Sequence, residues 1–185
     1  MSDLSLFFGQ FIRNPSEVRA VLPTGRAAAR EMARVVTSDM QAVAEIGAGT
    51  GTITEAILAT GLPAERLELY ELNPVFCERL AERFPGAVVH NRPAQAMARI
   101  GRRDLDAVIS GVPTLPMPDE LQAEIVGAAF EMMRPGAPFV QITYGPNPPL
   151  SDATRRRFGL TYTKSARVWA NLPPAQVYVF RQQMQ

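Results

Sequence analysis

Three alternating glycines follow an acidic residue in the stretch AEIGAGTGTITEAIL, from Ala44 to Leu58. The glycines fall as G-x-G-x-G between a short apolar run and a helical pattern. Glycines in a strand–helix loop let the backbone approach a bound ligand closely. The dinucleotide fingerprint G-x-G-x-x-G would need glycine at position 52, where the chain has Thr52, so a pyrophosphate is not the favoured ligand.

A second acidic residue, Glu71, ends the next apolar run, twenty residues after Gly51. A carboxylate at this place is positioned to bind the two hydroxyl groups of a ribose. A ribose-binding carboxylate without a strong phosphate cradle favours an adenosine ligand such as S-adenosylmethionine.

Apolar runs alternate with helical patterns along the chain, which predicts an α/β fold with a mostly parallel sheet and helices on both faces. The first five strands are predicted in AVAEIGA, RLELYELN, AVVHN, DLDAVISGVP and APFVQITYG. The helix after the first strand is predicted to end at Gly61. The last two strands, within RRFGLTYTKSARVWANLPPAQVYVFRQ, are predicted to form an antiparallel hairpin at one edge. We expect one domain over residues 1–185, with an N-terminal helical segment at 1–38 and a catalytic core at 40–185.

The segment EIGAGTG followed by YELN resembles the class I S-adenosylmethionine-dependent methyltransferases, which have a Rossmann-like fold. The resemblance implies that the glycine loop packs against the methionine part of this cofactor and that Glu71 binds its ribose. The family often has an aspartate for the adenine amine near the end of the third strand, where this chain reads HNRPAQ. Backbone groups there are expected to replace it. The cofactor-binding residues implied are Glu45, Gly47, Gly49, Thr50, Gly51, Glu71, Leu72, Arg92, Pro93, Ala94 and Ser110.

Three further segments resemble the bacterial phospholipid N-methyltransferases of the PmtA type. They are SLFFGQFIRNPSEVRAVLPTGRAAAREMA, SGVP and NLPPAQVYVF, which together extend over most of the chain. The resemblance implies stepwise methylation of phosphatidylethanolamine, and of its mono- and dimethyl forms, toward phosphatidylcholine. S-adenosylhomocysteine would be the product of the cofactor.

The N-terminal pattern is typical of a short amphipathic helix that lies in a bilayer interface. On a helical wheel one face carries Leu4, Phe7, Phe8, Phe11 and Ile12. Further on, Arg26, Arg30 and Arg34 form a stripe, and each basic residue near an anionic surface contributes about 1 kcal/mol of binding. We expect a cytoplasmic protein that associates peripherally with the inner face of the cytoplasmic membrane. The alternative is that these helices pack on the sheet and leave a basic face in solvent.

Composition excludes several other classes of site. Cys77 is the only cysteine, which excludes a disulfide framework and a cysteine-based metal site, and no other metal-ligand cluster is evident. The formal net charge of +1 gives no strong nucleic-acid footprint, so no nucleic-acid partner is expected.

A lipid amine must be neutral to accept a methyl group. A primary amine of this kind resembles the lysine side chain, whose pKa in water is about 10.4, so deprotonation at pH 7 costs about 4 to 5 kcal/mol. Tyr144, after the fifth strand, is the first candidate to position the amine, followed by Ser110. Trp169 and Phe8 are candidate walls of an aromatic cage for the methylated ammonium. The candidates for binding the phosphate are Arg13, Arg19, Arg26 and Arg167, which the sequence does not rank.

Two other functions stay open at the level of sequence. An RNA or DNA adenine dimethyltransferase resembles this chain at GQF and at the glycine loop. Such enzymes stack the flipped base on an aromatic side chain, and the loop Ser110-Gly111-Val112-Pro113 has neither an aromatic residue nor a proline pair. The second alternative is a module that binds the cofactor without turnover. The oligomeric state and the proton acceptor are not predicted.

Overall fold

A seven-stranded sheet with helices on both faces forms the centre of the computed structural model, which describes residues 24–101 and 103–183. The strands are β1 Val43–Ile46, β2 Leu67–Glu71, β3 Val88–Asn91, β4 Ala107–Ser110, β5 Phe139–Thr143, β6 Leu160–Lys164 and β7 Gln176–Gln182. The helices are α1 Arg26–Ala33, α2 Thr52–Leu58, α3 Pro74–Arg83, α4 Met97–Ile100, α5 Asp119–Met132 and α6 Asp152–Arg157. Short 3₁₀ turns occupy Ala64–Arg66 and Ala94–Ala96.

The strand order is β3-β2-β1-β4-β5-β7-β6. Strands β1 to β5 are parallel, and β7 runs antiparallel to both β5 and β6. All residues of β1, β4 and β5 are buried, as expected for strands covered by helices on both sides. The predicted fold class, a mostly parallel sheet with a C-terminal antiparallel hairpin, is therefore confirmed. The chain builds the sheet outward from β1 in one direction, through β2 and β3, and then from β4 in the other direction. This switch point between β1 and β4 makes the carboxyl ends of these two strands the expected place for a ligand.

Two apolar clusters hold the helices to the sheet. One face packs α1, α2 and α3 through buried residues that include Met32, Ile57 and Leu80. The other face packs α4 and α5 through residues such as Met97 and Ile125. Each side chain of this size contributes about 1.5–3 kcal/mol when it is fully buried, so the sheet gives the loops at its edge a rigid support.

Two helices differ from the sequence prediction. The helix after β1 ends at Leu58 rather than at Gly61, which has a φ of +90° and lies in the turn that follows. Helix α6 has no counterpart among the predicted elements. It begins after Ser151, whose hydroxyl accepts a hydrogen bond from the amide of Thr154 at 3.2 Å. Its six residues include three arginines and give no helical period of apolar residues.

The N-terminal segment is described only from residue 24. The expected interfacial helix, with Phe8, Phe11, Arg13 and Arg19, lies outside the described residues. Helix α1, which the structure does describe, packs on the sheet and exposes Arg26 and Arg30. None of the described helices is long and apolar enough to cross a bilayer.

Candidate functional site

The glycine loop after β1 adopts backbone conformations in which residues other than glycine would be strained. Gly47, Gly49 and Gly51 have φ values of +73°, +53° and +83°. A Cβ atom on Gly47 would lie 2.8 Å from Val112 Cγ2, so the loop packs directly against the loop after β4. A Cβ atom on Gly49, by contrast, would have only the carbonyl oxygen of Gly47 nearby, at 4.0 Å. The middle glycine therefore presents bare backbone to open space.

Glu71 joins the glycine loop to the loop after β2. Its Oε2 accepts a hydrogen bond from the amide of Gly49 at 2.8 Å, and its Oε1 accepts one from the amide of Asn73 at 2.8 Å. Each carboxylate oxygen can accept a second hydrogen bond, so both remain available to a hydroxyl group of a ligand. The side chain of Asn91 donates to the carbonyl of Leu72 at 2.9 Å and holds the end of β3 beside this loop.

A cavity of about 480 Å³ opens at the carboxyl ends of β1, β4 and β5. Its size lies in the range of about 300–1,000 Å³ that is typical of small-molecule sites. The glycine loop forms one wall, and the loops after β4 and β5 form the other. Among the lining residues are Gly47, Gly49, Thr50, Phe76, Gly111, Thr114, Leu115, Thr143, Tyr144 and Pro173. None of the lining residues in the described part of the chain is charged.

Three buried oxygen atoms near the cavity have no hydrogen-bond partner among the described residues. They are Ser110 Oγ, Gln141 Oε1 and the hydroxyl of Tyr144. Ser110 and Gln141 are paired in register across β4 and β5, and Ser110 immediately precedes Gly111 of the cavity wall. Because an unsatisfied buried polar group costs about 1–3 kcal/mol, such a cluster is typical of a site that a polar ligand completes.

Gln122 of α5 fixes two loops of the cavity relative to each other. Its Nε2 donates to the carbonyls of Thr114 at 3.0 Å and Met117 at 3.3 Å, and its Oε1 accepts from the amide of Ser151 at 2.9 Å. The hydroxyl of Thr114 also donates to the carbonyl of Pro149 at 3.0 Å. The wall opposite the glycine loop is therefore held by buried hydrogen bonds from a helix.

Glu45 lies below the glycine loop and not in the cavity. The residue is completely buried in β1, and its Oε2 accepts a hydrogen bond from the hydroxyl of Thr54 in α2 at 2.6 Å. Burial raises the pKa of Glu45 to about 8, although the bond from Thr54 lowers it, and the nearby charge of Glu71 raises it further. Glu45 thus positions α2 against the sheet as a carboxyl group that is largely protonated at neutral pH.

Comparison with known proteins establishes the family. No family model matches the sequence. The ornithine lipid N-methyltransferase of Singulisphaera acidiphila is 31% identical over 191 aligned residues, which cover 98% of this chain and 97% of that protein. This chain belongs to the same methyltransferase family. Its fold is of class I, and its cofactor is S-adenosylmethionine. The finer assignment to the PmtA type is not confirmed by this relationship.

Solved structures of other methyltransferases share the fold at low sequence identity. Magnesium protoporphyrin IX methyltransferase from Synechocystis, solved with bound S-adenosylmethionine, matches with a TM-score of 0.69 at 8% identity, over 99% of this chain and 98% of that one. The 1,6-didemethyltoxoflavin-N1-methyltransferase of Burkholderia thailandensis, solved with S-adenosylhomocysteine and its acceptor, matches with a TM-score of 0.66 at 16% identity. That match covers 97% of this chain and 87% of the other.

The residues present in this methyltransferase fit the cofactor. Gly49 leaves room for a ligand against bare backbone, and Glu71 offers acceptor oxygens beside it. Of the cofactor residues expected from the sequence, Gly47, Gly49 and Thr50 line the cavity. Those outside the lining are Glu45, Gly51, Glu71, Leu72, Arg92, Pro93, Ala94 and Ser110. Five of this second group lie at the end of β2 or just after β2 and β3, on the neighbouring part of the same sheet edge: Glu71, Leu72, Arg92, Pro93 and Ala94.

The residues expected on the acceptor side of this methyltransferase are only partly brought together. Tyr144 lines the cavity, whereas Trp169 is 74% exposed and is not among the lining residues. Sequence reasoning missed Phe76, Gln122 and Gln141. The polar Gln141 between the apolar residues of FVQI was the available signal, because burying an amide costs free energy unless it is hydrogen-bonded.

Proposed function

We propose that this methyltransferase transfers a methyl group from S-adenosylmethionine to the amine of a membrane-lipid headgroup. The observation that carries the proposal is the near full-length similarity to a protein named ornithine lipid N-methyltransferase. Within this class we propose phosphatidylethanolamine and its mono- and dimethyl forms as substrates, leading to phosphatidylcholine. Ornithine lipid is the second candidate, which the name of the relative favours.

The chain's own residues would hold the cofactor at the glycine loop. Gly47 and Gly49 give close access to the backbone, and Glu71 accepts hydrogen bonds from ribose hydroxyls. Leu72 and the turn at Pro93 and Ala94 lie on the side of the sheet edge where the adenine is expected. When bound, S-adenosylmethionine supplies a methyl group on a cationic sulfonium.

The cavity wall opposite the glycine loop would orient the acceptor amine. The hydroxyl of Tyr144 has no partner among the described residues, so it is available to accept a hydrogen bond from the amine N–H. Ser110, the second candidate, is fully buried and does not line the cavity, although its Oγ has no partner among the described residues. The uncharged lining disfavours an ammonium ion, because desolvation lowers the pKa of an amine. The amine therefore gives up its proton to water at the open mouth and reaches the wall in the neutral form.

We further propose that the chain acts from the cytoplasm, bound peripherally to the inner face of the cytoplasmic membrane. Arg26 and Arg30 of α1 are exposed and available to an anionic surface. Arg26 and Arg167 are the described candidates for the lipid phosphate. A lipid with an ornithine headgroup would present a carboxylate to the same guanidinium groups.

Labelled methyl donor tests the proposal directly. Purified protein is incubated with it and with vesicles that contain phosphatidylethanolamine, ornithine lipid or neither, and separately with RNA. Label in either lipid supports lipid amine methylation, and the lipid that is methylated at the higher rate is the preferred substrate. Label only in RNA would establish an adenine methyltransferase instead, and cofactor binding without transfer would establish a binding module. A Tyr162→Phe variant, altered on exposed β6, serves as the active control.

A further inference from the structure

The loop between β6 and β7 ends in a tight, well-anchored tip. Val168 and Ala175 exchange two backbone hydrogen bonds, with N–O distances of 2.7 and 3.2 Å, and so close the loop around residues 169–174. Because β6 runs in the same direction as β5, the tip projects from the carboxyl edge of the sheet, where the cavity opens.

Asn171 anchors this tip to the beginning of α1. The residue is only 3% exposed, and its Oδ1 accepts a hydrogen bond from the amide of Gly25 at 2.9 Å. Its Nδ2 donates to the carbonyl of Pro173 at 2.7 Å. A Cβ atom on Gly25 would lie 2.5 Å from Asn171 Oδ1, so this contact requires glycine. The tip is therefore fixed to the core by a buried polar side chain.

The same tip exposes two large apolar side chains. Trp169 is 74% and Leu172 is 90% exposed, and no other large apolar side chain in the described ranges exceeds 51%. The next residue, Pro173, lines the cavity, and so does Leu115, which is itself half exposed. An anchored loop that holds apolar side chains in solvent beside a cavity is typical of an interaction surface.

The charges around the tip favour an anionic surface. The guanidinium of Arg167 lies 5.8 Å from the centre of the Trp169 ring, and Lys164 ends β6 just before it. Arg26 follows Gly25, the residue that Asn171 holds. No Asp or Glu occurs in residues 24–26 or 164–175. Two exposed carboxylates at this edge, Asp119 and Glu120, begin α5 on the opposite face of the sheet. A third, Glu55 in the first turn of α2, is paired with Arg83.

We propose that the tip around Trp169 and Leu172 inserts into the interface of an anionic bilayer and places the cavity mouth at the level of the lipid headgroups. Tryptophan is suited to this position because its ring is apolar and its N–H remains hydrogen-bonded. Arg167, Lys164 and Arg26 bind the anionic headgroups around the tip. This inference rests on the proposed lipid substrate, and it identifies the part of the fold that delivers the substrate.

Trp169 is the only tryptophan of the chain, so tryptophan fluorescence, excited selectively over the four tyrosines, reports on this tip alone. Vesicles that contain phosphatidylglycerol are added to the full-length protein, and emission is expected to shift to shorter wavelength. Vesicles with brominated acyl chains are expected to quench it. Vesicles of neutral phosphatidylcholine are expected to have a much weaker effect.

A charged substitution at Leu172 tests the contact without removing the probe. Leu172→Asp is expected to lower the vesicle partition coefficient about tenfold or more, because the burial of a leucine side chain is lost. Val88→Asp is the matched control, since Val88 is 45% exposed at the start of β3 on the opposite edge of the sheet, and its partition should equal that of the wild type. Equal partition of Leu172→Asp and wild type would overturn the proposal.

The outcome separates this inference from the proposed substrate. Insertion of Trp169 without methylation of any vesicle lipid would support the membrane contact and overturn the proposed substrate. Methylation of vesicle lipids with unchanged Trp169 emission would support the proposed substrate and overturn the membrane contact of the tip. If Leu172→Asp instead changed the oligomeric state in the absence of vesicles and left vesicle binding unaltered, the tip would be a contact between copies of the chain, and the proposal would fail.

Discussion

The hydroxyl oxygen of Tyr144 is buried and has no hydrogen-bond partner in the described part of the chain, a combination that costs stability unless a ligand uses it. Replacing this tyrosine with phenylalanine keeps the ring in the cavity wall and removes the oxygen. We expect Tyr144→Phe to raise the free energy of unfolding by about 1 kcal/mol while lowering kcat about tenfold. Chemical denaturation and steady-state assays measure the two effects. The same change at Tyr162 is expected to affect neither, and equal turnover of Tyr144→Phe and wild type would remove Tyr144 from the site.

Glu71 carries the expected ribose contact. We expect Glu71→Ala to weaken the binding of S-adenosylhomocysteine about 10- to 150-fold, because hydrogen bonds to a charged group contribute about 1.5–3 kcal/mol. Isothermal titration calorimetry measures the affinity. Glu78→Ala, on the exposed side of α3, is the control with the same loss of charge. Undiminished affinity of the Glu71 variant would contradict the assignment.

Glu45 makes stability depend on pH. Its pKa is raised to about 8 in the folded state, from an ordinary value of 4.5. Between these pH values the folded protein keeps a proton that the unfolded chain has released, so stability is highest below the window and falls as pH rises through it. The slope approaches about 1.4 kcal/mol per pH unit.

We expect Glu45→Gln to flatten this profile, because the amide has no proton to lose and can still accept from Thr54. Denaturant unfolding at either end of the window measures the difference. Glu82→Gln, on the exposed surface of α3, should retain the slope of the wild type. A slope that survives in Glu45→Gln would assign the effect to another group.

At the scale of elements, α5 supports the acceptor wall through Gln122. Gln122→Leu keeps the volume of the side chain and removes its three hydrogen bonds to two loops. We expect a loss of about 2–4 kcal/mol in unfolding free energy and a higher KM for the lipid, because the carbonyls of Thr114 and Met117 lose their buried donor. Glu124→Leu, exposed on the same helix, is the control. An unchanged KM in the Gln122 variant would show that the wall does not need this support.

The parallel elements were predictable because each strand is a short apolar run and each following helix has its own apolar period. The glycine loop and Glu71 could be placed for the same reason, since both directly follow strands. Helix α6 gave no such signal, because it is short and rich in arginine. The acceptor wall contains Tyr144 and is held by hydrogen bonds from Gln122 and Gln141, which depend on contacts between distant elements. The contact of Asn171 with Gly25 likewise joins residues 146 positions apart. Local patterns do not contain such contacts.

For the whole molecule, charge at the cavity edge is expected to control membrane association. Three cations near the hairpin tip, Arg26, Lys164 and Arg167, each contribute about 1 kcal/mol at an anionic surface. Their joint replacement by glutamine is therefore expected to weaken binding to phosphatidylglycerol vesicles about 100-fold. Binding to neutral vesicles should change little. Co-sedimentation measures both.

The matched control removes three cations from the side of the sheet that lies away from the cavity, at the amino ends of the parallel strands. Arg156 and Arg157 lie near the end of α6, and Arg181 lies near the end of β7. Their replacement by glutamine lowers the net charge equally and should leave vesicle binding close to that of the wild type. Equal weakening by the two triple variants would mean that net charge, and not its position, governs association.

The described chain enters and leaves the sheet at opposite ends. Thr24 lines the cavity, which opens at the carboxyl ends of β1, β4 and β5. Strand β7 runs antiparallel to β5 and therefore ends on the side of the sheet away from the cavity, beside the start of β6. A fluorescent protein or surface tether joined after β7 would therefore stand clear of the cavity. The same cargo joined directly before Thr24 would crowd its opening. Attachment after β7 would therefore let an immobilised enzyme turn its cavity toward a supported lipid bilayer.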